Sequence, residues 1–304
     1  MNVPSRNIYI TGFILTFIGA VLFSTKAIFV KLAFANTSVD AISLLALRMF
    51  FSVPFYLAIA FFYSNKEGNI KFTKLQWIKI IFLGIIGYYL SSLFDFIGLQ
   101  YISAGLERLI LFLYPTFAIL LNAAVYSKKI NRIQKLALLL TYAGIAIAYF
   151  GELKLDNSNP DFLKGTLFIF LCALSFSIYL VGSGRLIPAV GATKFTAYTM
   201  TAASIGVFLH YFISGNSNLH FSTPVLGYGI MLAIIATVIP TFFISNGLKK
   251  IGSNNVAIIS SIGPVSTILQ AHFILGEKLI FAQVAGTILV ITGVLLSGWR
   301  NRDI

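Results

Sequence analysis

The chain has 304 residues, of which 58% are hydrophobic and 10% are charged, and its net charge is +13. A soluble globular domain has about 25% charged residues. This sequence therefore has too few polar side chains to cover a water-facing surface, and we expect lipid to surround most of it. The basic residues occupy short gaps between apolar runs, which favours a role in membrane orientation over a nucleic-acid-binding face. The single Cys172 cannot form an intrachain disulfide.

Ten apolar runs are long enough for membrane helices, which need roughly 20 mainly apolar residues. The predicted spans 1 to 10 cover residues 8–30, 41–63, 75–99, 104–126, 132–151, 164–186, 193–214, 224–246, 253–275 and 280–299. Only 64–74 and 152–163 are longer loops, so no soluble domain remains. The first run is longer than the apolar core of a signal peptide and has no small-residue cleavage site, which predicts a retained first helix.

Lysine and arginine are distributed unevenly between the two sides of these spans. The side that holds both termini has fifteen of them in its loops, and the opposite side has five. Cytoplasmic loops of membrane proteins carry an excess of basic residues. We therefore predict a multi-pass protein of the cell membrane with both termini in the cytoplasm.

The second half of the sequence repeats the first with an offset of 149 positions. The identities least expected by chance are Gly98/Gly247, Pro115/Pro264, Lys129/Lys278, Gln134/Gln283 and Gly144/Gly293. We predict two units of five spans each, residues 8–151 and residues 164–299. Since five is an odd number, the second unit enters the membrane from the opposite side. Such inverted repeats are the architecture of many secondary transporters.

Two pairs of segments resemble the EamA family of the drug/metabolite transporter superfamily. The first pair is GLQYISAGLERLILFLYPTFAILL and GLKKIGSNNVAIISSIGPVSTILQAHFILGEKL, and the second is ALLLTYAGIAIAY and AGTILVITGVLLSG. The LGEKL ending is similar to the family pattern, whereas the first half departs from it with YSKKI. The resemblance covers essentially the whole chain. It implies an all-α polytopic fold of ten helices in two inverted repeats, and carriers of small metabolites such as amino acids.

Prolines interrupt several spans near their middle. Pro115 and Pro264 lie at equivalent positions of spans 4 and 9, and Pro240 and Pro54 lie within spans 8 and 2. A proline removes one backbone hydrogen bond and kinks a helix. Neighbouring helices or Ser and Thr side chains can satisfy the freed carbonyl. Broken helices at mid-membrane also mark the binding sites of transporters, so we interpret the equivalent pair as helix breaks or gating points, together with Pro240.

Charged residues within the spans are the sharpest indication of a site, because each is costly in a bilayer. Lys26, Arg48, Asp95, Glu107 and Arg108 all belong to the first unit, and their equivalents in the second are uncharged. Lys26 could extend to the membrane surface. Glu107 and Arg108 could form an interfacial pair at the start of span 4 and are grouped with the gating residues. Arg48 lies deeper and needs a carboxylate, with Asp95 or Glu107 as the expected partner.

Polar residues at helical spacing complete the predicted site. We expect Lys26 and Arg48 to bind an anionic group of a small-molecule substrate, and Asp95 to balance them or to take a proton or an amine. The other predicted substrate-binding residues are Tyr88, Tyr114, Tyr179 and Gln270. Spans 5 and 10 carry the small-residue pairs Gly144/Ala148 and Gly293/Ser297, which suit close helix packing, and a homodimer through these spans is compatible with that pattern.

The predicted function is that of a secondary transporter that works by alternating access and moves a small organic metabolite, and the family resemblance favours export. An amino acid or a related anion is the expected class. A channel and a non-transporting membrane scaffold are the alternatives. The sequence has none of the common catalytic, nucleotide-binding or metal-binding motifs, so we expect no enzyme activity, no cofactor and no metal site.

Overall fold

The computed structural model describes residues 6–64, 71–127, 130, 132–155, 159–215 and 220–299, and these residues form an all-α fold. Its α-helices are α1 (Arg6–Asn36), α2 (Ala41–Ser64), α3 (Lys74–Gly84), α4 (Ser91–Gly98), α5 (Ala104–Leu111), α6 (Tyr114–Tyr126), α7 (Arg132–Leu155), α8 (Phe162–Val190), α9 (Ala192–Ile213), α10 (Thr223–Ala233), α11 (Ile239–Ser260), α12 (Gly263–Gln270) and α13 (Phe281–Trp299). Three π-helical segments connect some of them: π1 (Ile85–Leu90), π2 (Ile234–Val238) and π3 (Ala271–Leu275).

These elements correspond to the ten predicted spans. Span 3 consists of α3, π1 and α4, and span 4 consists of α5 and α6. Span 8 comprises α10, π2 and the beginning of α11, and span 9 comprises the end of α11, α12 and π3. By length and composition, seven helices in the described part of the chain can cross a membrane, in spans 1 to 6 and span 8, and α13 adds a shorter apolar stretch.

One predicted boundary is wrong, because residues 247–252 between spans 8 and 9 are helical rather than a loop. No proline interrupts the segment, and α11 continues through it to Ser260. Ile251 lies against Gly12 near the beginning of α1, whereas the backbone of Gly263 contacts Ser24 much further along α1. The chain therefore reverses its direction between Ile251 and Gly263, so α11 is not one straight helix, and its two ends belong to two adjacent membrane spans.

The two units share the positions of their helix irregularities. π1 begins at Ile85 and π2 begins at Ile234, which are 149 positions apart. Span 4 is interrupted between α5 and α6, and span 9 is interrupted between α11 and α12 at the same offset. Interruptions of this kind leave backbone groups that need local partners. Their recurrence at one offset shows that the two units fold alike.

The helix contacts also repeat when the two units are exchanged, so that each contact has an equivalent with the roles of the units reversed. α1 packs against α11 and α12, and its repeat equivalent α8 packs against α4 and α6. In the same way α10 packs against α2, and their equivalents α3 and α9 pack against each other. α2 packs against α9 and α7 packs against α13, so each of these spans contacts its own repeat equivalent. A pseudo-two-fold axis in the membrane plane accounts for these pairs and makes the second unit inverted with respect to the first.

Small residues let α7 and α13 approach closely. A Cβ atom added at Gly286 would lie 2.5 Å from the carbonyl oxygen of Gly144, and one added at Gly293 would lie 2.4 Å from Oγ1 of Thr141. The glycine faces of spans 5 and 10 thus pack against each other within one chain, which is the close helix packing expected from the small-residue pairs. The homodimer through these spans stays a prediction, and it would have to use their other faces.

The two broken spans are close at one membrane side and apart at the other. Because ten spans alternate in direction, the start of α1 and the end of α13 lie on one side, here called the terminal side, opposite the far side. On the far side, α12 packs against both α1 and α5. Its equivalent on the terminal side, α6, packs extensively against α8 alone among the described elements. The described helices therefore close the far side and leave the terminal side more open.

Candidate functional site

A cavity of about 370 Å³ lies between the two units, at the level where spans 4 and 9 are broken. Its volume is in the range of small-ligand pockets. Its polar lining consists of Lys26, Arg48, Tyr88, Ser91, Ser92, Asp95, Arg108, Tyr114, Cys172 and Ser260, and its apolar lining consists of Ala20, Phe23, Gly87, Leu111, Phe112, Phe176, Leu180, Ala236 and Ile244. Five of the seven predicted substrate-binding residues are among these, so the structure brings most of that set together.

An ion cluster lies at the far-side end of this cavity. Nζ of Lys26 is 2.6 Å from Oδ2 of Asp95 and 3.5 Å from Oε1 of Glu107. Asp95 is 1% exposed and Glu107 is 0% exposed, so both carboxylates depend on Lys26 for charge compensation. Two alternatives from the sequence are therefore wrong: Lys26 does not extend to the membrane surface, and Glu107 does not form an interfacial pair with Arg108.

The partners of Arg48 differ from those predicted. Its Nε donates a hydrogen bond to Oγ1 of Thr237 (2.9 Å), and its Nη1 donates to Oγ of Ser92 (3.2 Å). The guanidinium also lies 5.7 Å from the ring centroid of Phe96. No carboxylate of the described residues is within ion-pair distance of Arg48, because Asp95 is turned towards Lys26. Arg48 instead joins span 2 to span 3 and, across the units, to span 8.

Arg108 extends along the break in span 9. Its Nη2 lies 2.6 Å from the position that a Cβ atom at Gly263 would take, so only a glycine leaves room for the guanidinium in this conformation. The guanidinium carbon is 5.6 Å from the ring centroid of Phe112. Its Nε is buried and has no hydrogen-bond partner among the described residues. Arg108 thus lines the cavity without an ion-pair partner among the described residues.

The π-helical segments place polar groups in the cavity lining or directly behind it, from spans 3 and 8. In π2, Oγ1 of Thr237 donates to the carbonyl oxygen of Leu232 (2.8 Å) while it accepts the hydrogen bond from Arg48. In π1, Gly87 has no side chain, and Tyr179 occupies the adjacent space, where a Cβ atom would be 2.3 Å from that residue. Tyr88, also in π1, lines the cavity, and Tyr179 lies behind it with the two hydroxyl oxygens 3.3 Å apart.

The equivalent prolines begin the second half of each broken span. Pro115 is in the first turn of α6 and Pro264 is in the first turn of α12, where a proline costs no helical hydrogen bond. At the second break, the carbonyl oxygen of Gly263 accepts a hydrogen bond from Oγ of Ser24 (3.2 Å). Pro240 follows π2 directly, in the first turn of α11. The prolines therefore shape the spans around the cavity without lining it.

Gln270 is the other predicted substrate-binding residue that does not line the cavity. Its Nε2 donates to Oγ of Ser266 (2.8 Å), one turn earlier in α12. Conversely, the site prediction omitted Cys172, whose Sγ is 3.4 Å from Oγ of Ser91, and the aromatic rings of Phe23 and Phe176. Nothing in an apolar run of residues distinguishes a cavity-lining ring from a lipid-facing one, so the sequence carried no signal for them.

Two further acidic residues, also absent from the site prediction, hold the start of span 4 on the far side. The carboxylate of Glu277 accepts hydrogen bonds from the backbone N–H groups of Ala104 (2.9 Å) and Gly105 (3.3 Å) at the beginning of α5. Oε1 of Glu152 accepts a hydrogen bond from the backbone N–H of Ser103 (3.4 Å), and its Oε2 accepts one from Nε2 of Gln283 (2.7 Å). A carboxylate at a helix N-terminus is favourable. Glu277 lies in the LGEKL segment, so this contact ties the second unit to the broken span of the first.

Comparison with known proteins agrees with this architecture. The model of the EamA-like transporter family matches residues 10–150 and again residues 163–299. The uncharacterized transporter YcbK of Bacillus subtilis (strain 168) is 33% identical over 295 residues, which cover 93% of this chain and 92% of that protein. The uncharacterized transporter sll1164 of Synechocystis sp. (strain ATCC 27184 / PCC 6803 / Kazusa) is 25% identical and covers 75% of this chain and 67% of its own length.

A solved structure described as "Crystal structure of protein" superimposes with a TM-score of 0.66 at 18% sequence identity. The match covers 96% of this chain and 98% of that one, and it shows a shared fold. The family match extends over both halves of the sequence, and the identity to YcbK extends over nearly all of it. The chain therefore belongs to the EamA-like transporter family and is a multi-pass membrane transporter.

Proposed function

We propose that this protein is a secondary carrier that exports a small organic metabolite, such as an amino acid or a related anion, across the cell membrane. The observation that carries the proposal is the charged cavity between two inverted units, at the break of spans 4 and 9. A carrier needs two conformations of similar energy, and two units of the same fold in opposite orientations provide them by exchanging roles.

The packing of the broken spans supports alternating access. The far side is closed by contacts of α12 with α1 and α5, whereas α6 is extensively packed against α8 alone in the described part of the chain. In the orientation that we propose from the excess of basic residues on the terminal side, the cavity of this conformation faces the cytoplasm. This is the conformation in which an exporter takes up its substrate.

Counterflow in proteoliposomes tests the carrier mechanism. Vesicles loaded with an excess of an unlabelled amino acid or carboxylate should transiently accumulate the same labelled compound from outside, because a carrier exchanges substrate across the membrane. A channel lets the labelled compound equilibrate without such accumulation, and a non-transporting scaffold gives only the background flux of protein-free vesicles. Arg48→Gln should abolish the accumulation, and the exposed Arg132→Gln should leave it unchanged. Equal accumulation in both variants would remove Arg48 from the transport site.

Cysteine labelling tests the proposed orientation. The labelling uses a Cys172→Ser background, because the native thiol lines the cavity. A membrane-impermeant maleimide added to intact cells should modify Asn36→Cys at the end of α1 and should modify Arg132→Cys at the start of α7 only after the cells are opened. The reverse pattern would place the termini outside and contradict the proposed orientation, in which the cavity of this conformation faces the cytoplasm.

A further inference from the structure

The charges around the cavity do not balance within the described structure. Lys26, Arg48 and Arg108 carry three positive charges, and Asp95 and Glu107 carry two negative charges when all five groups are ionised. An uncompensated charge is unfavourable at this depth in a membrane protein. One further negative charge, brought by a ligand, would complete the set.

Arg108 differs from the other two cations because it has neither an ion pair nor a side-chain hydrogen bond among the described residues. Lys26 is in contact with both carboxylates, and Arg48 donates two hydrogen bonds, to Thr237 and Ser92. Arg108 forms no ion pair with the described residues, and its buried Nε has no acceptor there. A guanidinium presents its N–H groups as a planar fork that matches a carboxylate with two parallel hydrogen bonds.

The position of Arg108 favours an anion for a second reason. The guanidinium lies against Gly263, which is the first residue of α12. The N-terminus of a helix carries a partial positive charge, so it adds to the attraction for an anion bound beside it. Arg108 is also in the last turn of α5, where the opposite end of a helix dipole favours a cation. The attraction of Arg108 to the C-terminal end of α5 is weaker than a direct ion pair, and Nε still has no acceptor among the described residues.

The remainder of the cavity suits an apolar group attached to the anion. Phe112 lies beneath the guanidinium, Phe176 and Tyr114 pack edge to face with ring centroids 5.2 Å apart, and Leu111 and Leu180 complete this side of the lining. Aromatic walls of this kind bind flat or branched apolar groups.

We propose that Arg108 binds the carboxylate of the transported substrate, and that the substrate is an organic monoanion whose aromatic or branched body lies among Phe112, Tyr114 and Phe176. This inference rests on the proposed carrier function. It differs from the prediction made from the sequence, which gave the anion to Lys26 and Arg48.

Three matched probes test the assignment: 3-phenylpropionate, its neutral amide and phenylpropylamine. Isothermal titration with the purified protein should show binding of the acid and much weaker binding of the amide and the amine. Arg108→Gln should weaken binding of the acid by roughly tenfold to a hundredfold, the effect of losing hydrogen bonds to a charged group. Arg108→Lys should retain part of the affinity, and the exposed control Arg132→Gln should retain all of it.

Gly263→Ala keeps every charge and tests the position of the guanidinium. The added methyl group would lie 2.6 Å from Nη2 of Arg108, so the guanidinium must move and the acid should bind more weakly. The inference is overturned if none of the acid is bound, if the amide or amine binds as tightly as the acid, or if both variants bind it like the unmodified protein.

Counterflow separates this inference from the carrier proposal. If the acid binds through Arg108 but shows no counterflow, the carrier proposal is contradicted and the inference of an anion site at Arg108 is supported. Counterflow of a neutral or cationic compound that Arg108→Gln does not affect would retain the carrier and overturn the anion site. Counterflow of the acid that is lost in Arg108→Gln supports both.

Discussion

Replacing Asp95 with Asn would show how strongly the buried ion pair holds spans 1 and 3 together. The two charged atoms are 2.6 Å apart, and the side chains of Lys26 and Asp95 are 15% and 2% exposed. Removing one partner of such a pair costs about 3–5 kcal/mol, because the other charge stays buried. Glu107 remains 3.5 Å from Lys26 and compensates part of its charge, so we expect the lower end of that range, about 3 kcal/mol.

The chain also contains a matched exposed ion pair as a control. Lys164 and Asp161 are 3.8 Å apart, and both side chains are about half exposed. An exposed pair is worth at most about 1 kcal/mol, so Asp161→Asn should change the stability little. The comparison therefore separates the effect of burial from the effect of removing one aspartate charge.

A thermal melt of the purified protein, followed by the fluorescence of Trp77 and Trp299, is the assay. For a chain of this size, about 3 kcal/mol corresponds to a decrease in Tm of roughly 6–12 °C. Asp95→Asn should show this decrease at a fixed heating rate, and Asp161→Asn should melt within error of the unmodified protein. In a Lys26→Met background, Asp95→Asn should cost less, because the interaction is already absent. Equal melting temperatures for the two Asn variants would refute the reasoning.

Three other substitutions test the packing described above. Gly286→Ala places a methyl group 2.5 Å from the carbonyl oxygen of Gly144 and should destabilise the protein by about 1–3 kcal/mol, whereas Gly227→Ala, with open space around it, should be neutral or slightly stabilising in the same melt. Glu277→Gln weakens the contact with the start of α5 and should lower the stability by about 1 kcal/mol, whereas the exposed Lys278→Gln should not; equal effects would exclude the capping role. Gly87→Ala would collide with Tyr179 and should reduce counterflow at least as much as it reduces stability, and normal counterflow would show that π1 can deform freely.

The sequence alone was sufficient for the number of spans, the repeat and the membrane environment. These follow from properties that are local or periodic along the chain: apolar runs of fixed length, the 149-residue offset of Pro115 and Pro264, and the scarcity of polar residues. A proline disfavours a continuous helix, so the breaks beside Pro115 and Pro264 were also predictable, whereas Pro54 lies within the uninterrupted helix α2 and does not break span 2.

Partner choice among the buried charges was decided by the tertiary structure. Helical spacing places Asp95 on a polar face, and the position of Arg48 in span 2 predicts that it is buried, but neither fixes the rotation and depth of one span against another. In the folded chain Nζ of Lys26 is 2.6 Å from Oδ2 of Asp95, and Nε of Arg48 donates to the hydroxyl of Thr237 in π2. Gln270 was misassigned for the same reason, since its side chain folds back onto its own helix.

The sequence thus determined which residues are costly to bury, and the packing of seven spans around one cavity determined which of them compensate each other. Charge compensation depends on distances of a few ångströms between atoms far apart in the chain, such as those joining Lys26 to Glu107. Hydropathy and repeat offsets contain no such distances. Arg108, left without a partner by this arrangement, could be recognised only once the positions of all five charged groups were known.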